Sequence, residues 1–221
     1  IIYNHGVIQS LVKKKKQCFV EISSNLKVGK NAIGSSIACN GVCLTLTKRT
    51  NKSLFFFLSA ETLKRTSFNC IKVGVRVNLE KSLTYGQKIS GHYIQGHVDA
   101  RGKVKNLSKR NQAWNLQIEV PNRYRKYLLE KGSVAINGVS LTISKMFKNR
   151  ICLTIIPHTL KLTNLVMLKN NDIVNVNANA NVNVKVNYNC EIEMAILNVK
   201  YLYIYIYILC AISTSNVNVG Y

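Results

Sequence analysis

Small, uncharged polar side chains recur on one face of two predicted strands, and they are the residues best suited to hold a ligand. Each strand alternates apolar with polar side chains, which therefore point to opposite faces. The polar positions are Cys43, Thr45 and Thr47 in the first strand and Ser140, Thr142 and Ser144 in the second. Such a face could be the solvated side of an ordinary sheet. A cysteine in place of a long charged side chain, and the recurrence of the pattern, favour instead a surface that receives a flat, neutral ligand.

The two strands belong to a longer repeat. Residues 36–47, SIACNGVCLTLT, match residues 133–144, SVAINGVSLTIS, at a constant spacing of 97 positions. The same spacing continues without a gap through later matches, which are AETLKRT with PHTLKLT and Val77-Asn78 with Val174-Asn175. A period this long indicates a duplicated domain, because the repeats of a solenoid span about 20–50 residues.

Each copy of the repeat begins with a predicted β-hairpin. Asn-Gly stands between the two strands, at Asn40-Gly41 and again at Asn137-Gly138. This pair favours a type I′ turn, since both central residues of that turn need a positive φ. The apolar positions of the returning strands are expected to face the core, and they are Val42, Leu44, Leu46, Val139, Leu141 and Ile143.

A short helical turn is predicted after a later strand of each copy. Residues 55–58 are expected to form a buried strand leading into Ser59, a suitable N-cap for a turn over residues 60–66. In the second copy a strand over residues 154–156 leads into a turn that starts near Pro157. The first backbone N–H groups of such a turn are available to the carbonyl oxygens of a ring.

Three further segments have readable patterns. The lysine run 13–16 predicts a solvated hairpin loop between strands 7–12 and 18–22. Residues 114–120, WNLQIEV, alternate and predict a strand of the second copy. Residues 123–130 predict a short basic helix.

The net charge of +22 on 221 residues would suit a nucleic-acid-binding protein. The lysines are nevertheless spread along the whole chain, and the joint excess of Lys, Asn and Ile is typical of an AT-rich coding bias. A nucleic-acid-binding barrel would also need aromatic side chains on an exposed sheet face, and the two polar strand faces have none. We therefore expect no nucleic-acid partner.

Cysteine usage and hydropathy favour a cytoplasmic location. The seven cysteines are an odd number without a CxxC pair or a secretory signal, which predicts reduced thiols. Cys39 and Cys43 are too isolated from other ligands to indicate zinc. Residues 201–212, YLYIYIYILCAI, are apolar but shorter than the ~20 residues that span a bilayer as a helix. No transmembrane helix is therefore expected, and the Tyr/Ile alternation of this segment is a strand pattern.

The sequence resembles riboflavin synthase, a family built from two lumazine-binding repeats. The shared motifs stand in the family's order and are GVCLTLT, SAETLKRT, VNLEKSLTYGQKISGHYIQGHVDA, KGSVAINGVSLT and IPHTLKLT. The resemblance covers roughly residues 1–176 and implies two tandem six-stranded Greek-key β-barrels, over residues 1–92 and 93–185. Beyond them, residues 186–221 depart from the family and are expected to form an atypical, poorly ordered tail. The resemblance also implies a cofactor-free dismutation of two 6,7-dimethyl-8-ribityllumazine molecules, bound between facing barrels of a homotrimer.

The resemblance implies a set of site residues. His97, in Gly96-His97-Val98, would move protons, and Cys43 and Ser140 would contact the ring from equivalent positions of the two barrels. The residues expected to bind substrate are Leu44, Thr45, Ser59, Ala60, Glu61, Thr62, Gly96, Val98, Lys131, Leu141, Thr142, Ile156, Pro157, His158 and Thr159. His92 is interpreted as structural, as a lone histidine more often is.

Both ends of the sequence depart from the family pattern. The family's opening Met-Phe-Thr-Gly is absent before Ile1, which indicates a fragment or a decaying gene. Asn177 and Asn179 stand at two acidic positions, and residues 175–187 alternate with a strand period where the family has an amphipathic helix. The alternative hypothesis is therefore a lumazine- or flavin-binding protein without turnover, or a decayed enzyme. Retention of both polar strand faces favours an enzyme.

Overall fold

Two closed antiparallel β-barrels of six strands each make up the computed structural model, which describes residues 2, 4–14, 17–84 and 86–178. The first barrel comprises β1 (Asn4–Lys14), β2 (Gln17–Ser24), β3 (Ser36–Cys39), β4 (Val42–Arg49), β5 (Ser53–Leu58) and β6 (Arg76–Lys81). The second comprises β7 (Ala100–Arg110), β8 (Ala113–Glu119), β9 (Ser133–Ile136), β10 (Val139–Met146), β11 (Arg150–Ile155) and β12 (Ile173–Asn177). Around the first barrel the order is β1-β2-β5-β4-β3-β6, and the second has the equivalent order. The predicted pair of barrels is confirmed.

Short helical turns join some of the strands. The α-helical ones are α1 (Ala60–Arg65) and α2 (Pro157–Leu162). The 3₁₀ turns are Lys30–Ala32, Ser67–Asn69, Asn122–Tyr127 and Asn164–Met167. Ser59 caps α1, because its side chain accepts a hydrogen bond from the Thr62 N–H, and Pro157 occupies the start of α2. Both predicted turns are confirmed.

The predicted basic helix over residues 123–130 is wrong in type and length. The segment is a 3₁₀ turn, Asn122–Tyr127, and Leu128 beyond it has an extended backbone. Leu128 is also buried in the core of the second barrel. The inward turn of this side chain ends the helical segment.

The two Asn-Gly hairpins form as predicted. Asn40 and Gly41 have φ angles of 48° and 74°, and Asn137 and Gly138 have φ angles of 48° and 79°. The apolar positions of β4 and β10 are buried. Their polar positions are exposed or half-buried, as the alternation predicts.

The expectation of a buried strand over residues 55–58 is wrong in part. Phe56 and Leu58 face the core, but Phe57 is 37% exposed and Phe55 is half-buried. The wall of a filled barrel has only one inner face, so a strand in it must alternate. On the outer face the ring of Phe57 lies 5.3 Å from that of Phe19.

The lysine run belongs partly to a strand. β1 extends through Lys14 and β2 starts at Gln17, so Lys13 and Lys14 are exposed strand residues rather than loop residues. Lys15 and Lys16 lie outside the described residues. The strand predicted over residues 114–120 is confirmed, with β8 shifted by one residue.

Each barrel has its own hydrophobic core. Ile2 precedes the first barrel in sequence but packs into the core of the second. The expected domain boundary at residue 92 falls inside the connection between β6 and β7. The interpretations of Asn179 and of the tail over residues 186–221 lie outside the described residues. Among the described helices, none has the length and apolar character needed to cross a bilayer.

Buried asparagines join the two barrels in a pattern with approximate twofold symmetry. Asn78 Nδ2 donates to the Asn137 carbonyl, and Asn175 Nδ2 donates to the Asn40 carbonyl, both at 2.9 Å. Asn40 Oδ1 accepts from the Asn78 N–H at 2.8 Å, and Asn137 Oδ1 accepts from the Asn175 N–H at 2.9 Å. Because the energy of an unpaired buried amide is high, this network fixes how the barrels sit against each other.

The 3₁₀ turns extend the network. The Asn164 N–H donates to Asn78 Oδ1 at 2.8 Å, and the Ser67 N–H donates to Asn175 Oδ1 at 2.7 Å. Ser67 and Asn164 occupy equivalent positions in the repeat. Asn164 Nδ2 also donates to Asn40 Oδ1 at 3.0 Å, a contact that serine cannot reproduce.

Candidate functional site

The two hairpin tips meet at the boundary between the barrels. A Cβ added to Gly41 would lie 2.7 Å from the backbone nitrogen of Gly138, so only glycine allows this contact. Cys43 and Ser140 each follow two residues after these glycines. The equivalent polar strand faces therefore begin close to the same boundary.

The connection between the barrels crosses both polar strands at glycines. Gly96 accepts a hydrogen bond from the Cys43 N–H at 2.8 Å, and a Cβ on Gly96 would lie 2.7 Å from Cys43 Cβ. A Cβ on Gly91 would lie 2.9 Å from Ser140 Cβ. Both glycines also have positive φ angles, 77° for Gly96 and 96° for Gly91. One linker thus covers equivalent positions on the two barrels.

His92 lies against Ser140, which sequence analysis missed. Its Nδ1 is 2.6 Å from Ser140 Oγ, and burial lowers the pKa of the imidazole below its usual 6.5. His92 Nε2 is also buried and has no hydrogen-bond partner among the described residues. The available signal was the internal repetition Gly91-His92 and Gly96-His97, but the partner of the first histidine is 48 residues away in sequence.

The backbone of His97 is held while the residue itself is exposed. Its carbonyl accepts a hydrogen bond from Asn177 Nδ2 at 2.9 Å, and Asn177 is 1% exposed. The same Nδ2 lies 3.4 Å from the Gly41 carbonyl. Val98 packs against the core of the first barrel. This loop presents an imidazole from a fixed backbone, next to the strand that carries Cys43.

The site residues expected on α1 interact mainly with each other. Ser59 Oγ is 3.1 Å from both the backbone nitrogen and the hydroxyl of Thr62. Glu61 forms an exposed ion pair with Arg65, whose hydrogen bond lowers the pKa of the Glu61 carboxyl. None of the hydrogen bonds among the described residues joins Ala60 or these neighbours to Cys43 or His97.

The site residues expected on the second barrel lie on β10, on the loop before β9 and on α2. Lys131 has a φ of 68°, at the position equivalent to Gly34 in the first barrel, and its N–H donates to the Ile143 carbonyl at 2.8 Å. Ile156 is 57% exposed. The remaining expected positions are Leu141 and Thr142 on β10, and Pro157, His158 and Thr159 on α2.

Two clefts at the ends of the barrels contain none of the expected site residues. One, of about 450 Å³, lies between residues 24–29 and the turn after β4. The other, of about 330 Å³, lies between β7 and Asn149 at the end of the second barrel. Their linings lack the paired polar strand faces. On the strands themselves, Cys43, Thr45 and Thr142 are exposed, so a ring bound there would need a second surface to cover it.

The described cysteines, Cys18, Cys39, Cys43, Cys70 and Cys152, are all free thiols. Burial raises the pKa of the Cys39 thiol well above its usual value, whereas Cys43 is exposed on β4. In the part of the chain that the structure describes, no three His, Cys, Asp or Glu side chains come together as metal ligands. Cys43 is thus available for contact with a ligand.

Solved structures with the same architecture contain bound heterocycles. The structure of LumP complexed with riboflavin has a TM-score of 0.72, and LumP complexed with 6,7-dimethyl-8-(1'-D-ribityl) lumazine has a TM-score of 0.70. Each match has 22% sequence identity and covers 80% of this chain and 96% of the other. At this identity the likeness establishes the fold.

Sequence comparisons give the family. The lumazine binding domain family matches residues 1–82 and 95–179. Riboflavin synthase of Photobacterium leiognathi is 42% identical over 177 residues, which cover 80% of this chain and 81% of the relative. Riboflavin synthase of Bacillus subtilis (strain 168) is 32% identical over 163 residues, which cover 74% and 76%. With both repeats matched and both barrels formed, this chain belongs to the riboflavin synthase family of two-repeat lumazine-binding proteins.

Proposed function

We propose that the chain catalyses the dismutation of two 6,7-dimethyl-8-ribityllumazine molecules to riboflavin and 5-amino-6-(D-ribitylamino)uracil, the last step of riboflavin biosynthesis. The observation that carries this proposal is the duplication of one surface: a small polar strand face, crossed by a Gly-His segment, on each barrel. A reaction between two identical molecules requires two similar binding surfaces. The relatives named riboflavin synthase support the same activity.

The reaction transfers a four-carbon unit from one lumazine to the other. It needs removal of a proton from an acidic methyl group of one ring, and addition of a nucleophile to the other ring. Holding the two rings face to face makes this encounter effectively unimolecular, which can supply about 7–11 kcal/mol of the barrier. Binding and orientation therefore account for most of the catalysis in this proposal, and no cofactor enters it.

His97 is the proposed proton carrier. It is exposed beside the strand that carries Cys43, and the hydrogen bond from Asn177 to its carbonyl fixes the loop. Cys43 and Ser140 are the proposed polar contacts to the two rings, at equivalent positions of the barrels. Their neighbours on β4, β10, α1 and α2 supply the rest of the binding surface.

The covering surface is proposed to come from another copy of the chain. Cys43, Thr45 and Thr142 are exposed in the single chain, so water would reach a ring bound on β4 or β10. Exclusion of water strengthens every electrostatic contact to the ring. A homotrimer with facing barrels, as the family resemblance implies, would provide this. A cytoplasmic location is also proposed, and the free thiols support it.

Turnover of purified lumazine tests the proposal. Dismutation predicts that riboflavin accumulates at half the rate at which lumazine disappears, with one pyrimidinedione released per riboflavin. Chromatography of the product mixture measures all three. If lumazine and riboflavin bind with a change in fluorescence but lumazine is not consumed, the chain is a binding protein without turnover. If a folded chain neither binds nor converts lumazine, the proposal is wrong.

A further inference from the structure

The linker between the barrels repeats a short unit that matches the repeat of the barrels. Gly91-His92 and Gly96-His97 are five positions apart. The first glycine contacts Ser140 on the second barrel, and the second contacts Cys43 on the first. His92 therefore occupies the same position relative to the second barrel as His97 does relative to the first.

The two histidines differ in what their side chains do. His92 is half-buried with its Nε2 fully buried, and its Nδ1 is 2.6 Å from Ser140 Oγ. No side chain in the described part of the chain makes such a contact with the sulfur of Cys43. The second polar strand face therefore has a hydroxyl with a fixed neighbour, and the first has a thiol without one.

The tautomer of His92 decides what Ser140 offers to a ligand. Burial lowers the pKa of His92, so the ring is neutral near pH 7 and has one N–H group. Nε2 has no partner among the described residues. Buried N–H groups without a partner are rarer than buried acceptors without one, so the proton belongs on Nδ1. His92 then donates to Ser140 Oγ, and the serine hydrogen is free to point away from the histidine.

We propose that His92 is a positioning residue that donates its Nδ1–H to Ser140 and so presents the Ser140 hydroxyl as a hydrogen-bond donor to a lumazine on the second barrel. Carbonyl oxygens and unprotonated ring nitrogens of a lumazine are acceptors, which suits a hydroxyl donor. The inference rests on the proposed function, because it takes a lumazine as the ligand of β10. It also makes the two barrels unequal, since a thiol at Cys43 is a much weaker donor.

A double-mutant cycle tests the coupling between the two residues. Ser140→Ala should lower kcat/KM for lumazine, and weaken riboflavin binding, by about fivefold, the effect of losing one hydrogen bond to a ligand. His92→Gln cannot donate from the Nδ1 position and should lower both to the same extent. The double variant should be no worse than either single variant, because the pair acts as one unit.

Cys43→Ala is the matched control, since it truncates the equivalent position of the first barrel. Its effect should multiply with that of His92→Gln. If the effects of Ser140→Ala and His92→Gln also multiply while the unchanged chain turns over lumazine, the inference is wrong and the proposed function stands. If the unchanged chain neither binds nor turns over lumazine, the proposed function fails and this inference fails with it.

Two nearly isosteric variants test the direction of the hydrogen bond. His92→Asn keeps a donor near the Nδ1 position and should stay within about twofold of the unchanged chain. His92→Asp offers only acceptors when ionised, so it would draw the serine hydrogen toward itself. Its kcat/KM for lumazine should therefore match that of Ser140→Ala. Circular dichroism of each variant confirms folding. Equal activity of the Asn and Asp variants, or higher activity of the Asp variant, would overturn the assignment of Ser140 as the donor to the ligand.

Discussion

At the scale of single residues, the candidate site depends on side chains whose surroundings differ although their positions are equivalent. His97 is exposed on a loop whose backbone is fixed by Asn177. His92 is half-buried against Ser140, with its Nε2 fully buried. An exposed imidazole keeps access to solvent protons, whereas one that is partly enclosed and hydrogen-bonded is suited to hold a neighbour in place. The two histidines therefore have different proposed roles.

Replacing His97 should slow turnover without unfolding the chain. His97→Gln removes the proton carrier, and we expect kcat for lumazine dismutation to fall by more than tenfold, since acid–base catalysis usually contributes ~10²–10⁴-fold. His5→Gln, a change at an exposed histidine on β1, should leave kcat within about twofold. Steady-state kinetics on both variants measure this. Near-normal turnover of His97→Gln would leave His97 without a chemical role.

Burial of His92 should also make stability depend on pH. Its pKa in the folded chain lies below the usual 6.5, so between these two values the unfolded chain binds more protons. The free energy of unfolding should therefore be unaffected by His92 well above pH 6.5 and should decrease as the pH falls below it. The pKa of His5 is also lowered, by partial desolvation and by the positive charge of Arg76, so His5 contributes in the same direction.

The contribution of His92 can be isolated by substitution. His92→Asn cannot take up a proton in this range, so its unfolding free energy should fall less steeply than that of the unchanged chain between pH 7 and pH 5. Urea denaturation at several pH values gives both slopes. Identical slopes would show that His92 is not buried in solution.

At the scale of elements, each barrel positions its site residues with a tight hairpin and a one-turn helix. The hairpins, the cap at Ser59 and the alternation of β4 and β10 all follow from local sequence, because turn chemistry and strand period are local properties. The contact between His92 and Ser140 could not be predicted in that way. It depends on the path of the linker between barrels, which no local pattern specifies.

Two other features could not be predicted from local sequence: where the helical segment that starts at Asn122 ends, and the exposure of Phe57. Both depend on which side of the barrel wall a residue faces. The buried asparagine network was equally hidden. Val77-Asn78 and Val174-Asn175 were visible as a repeat, but nothing in the sequence showed that these amides cross between barrels.

The cap of α1 should be measurable against its uncapped counterpart. Ser59→Ala removes the acceptor of the Thr62 N–H, and we expect the free energy of unfolding to fall by about 0.5–2 kcal/mol. Ile156 is the equivalent residue before α2 and makes no side-chain cap. Ile156→Ala, an exposed change, should reduce stability by less. A loss for Ile156→Ala equal to that for Ser59→Ala would contradict the capping role.

At the scale of the whole molecule, the barrels meet at two hairpin tips that leave no room for a side chain. Gly138→Ala would place a methyl group 2.8 Å from the Gly41 nitrogen, at a φ of 79°. Left-handed backbone at a non-glycine residue costs about 1–2 kcal/mol, and overpacking adds about 1–3 kcal/mol. Gly74 has a φ of 83° but open space around it. Gly74→Ala should therefore show the backbone effect alone.

Thermal and urea denaturation of the two glycine variants should separate these effects. We expect the loss of stability in Gly138→Ala to exceed that in Gly74→Ala by at least about 1 kcal/mol. Equal losses would mean that the hairpin tips do not touch in solution. A second, lower-temperature transition in Gly138→Ala would show that the barrels had separated before unfolding.

The alternating sequence of residues 175–187 leads to a prediction about assembly, which remains to be tested. Its apolar residues fall at every second position, so around a helix they would leave no continuous seam. We expect that with this tail the full chain forms no stable, discrete trimer, so that the facing barrels of the proposed function meet only transiently. We also expect that deletion after Asn187 improves solubility while both barrels stay folded. Sedimentation velocity on both versions decides this. A sharp trimer boundary for the full chain that is lost on deletion would contradict it.

Because the linker contacts both barrels, each half of the chain packs against the other. Gly91 and His92 come before Gly96 along the linker yet contact the second barrel, while Gly96 contacts the first. Ile2, from the start of the chain, is buried in the second barrel as well. A cut between His92 and Gly96 would leave each fragment with an arm that fits its partner. The duplicated domains therefore contact each other through segments that each lends to the other. Neither barrel alone would keep the linker contacts that cover its polar strand face.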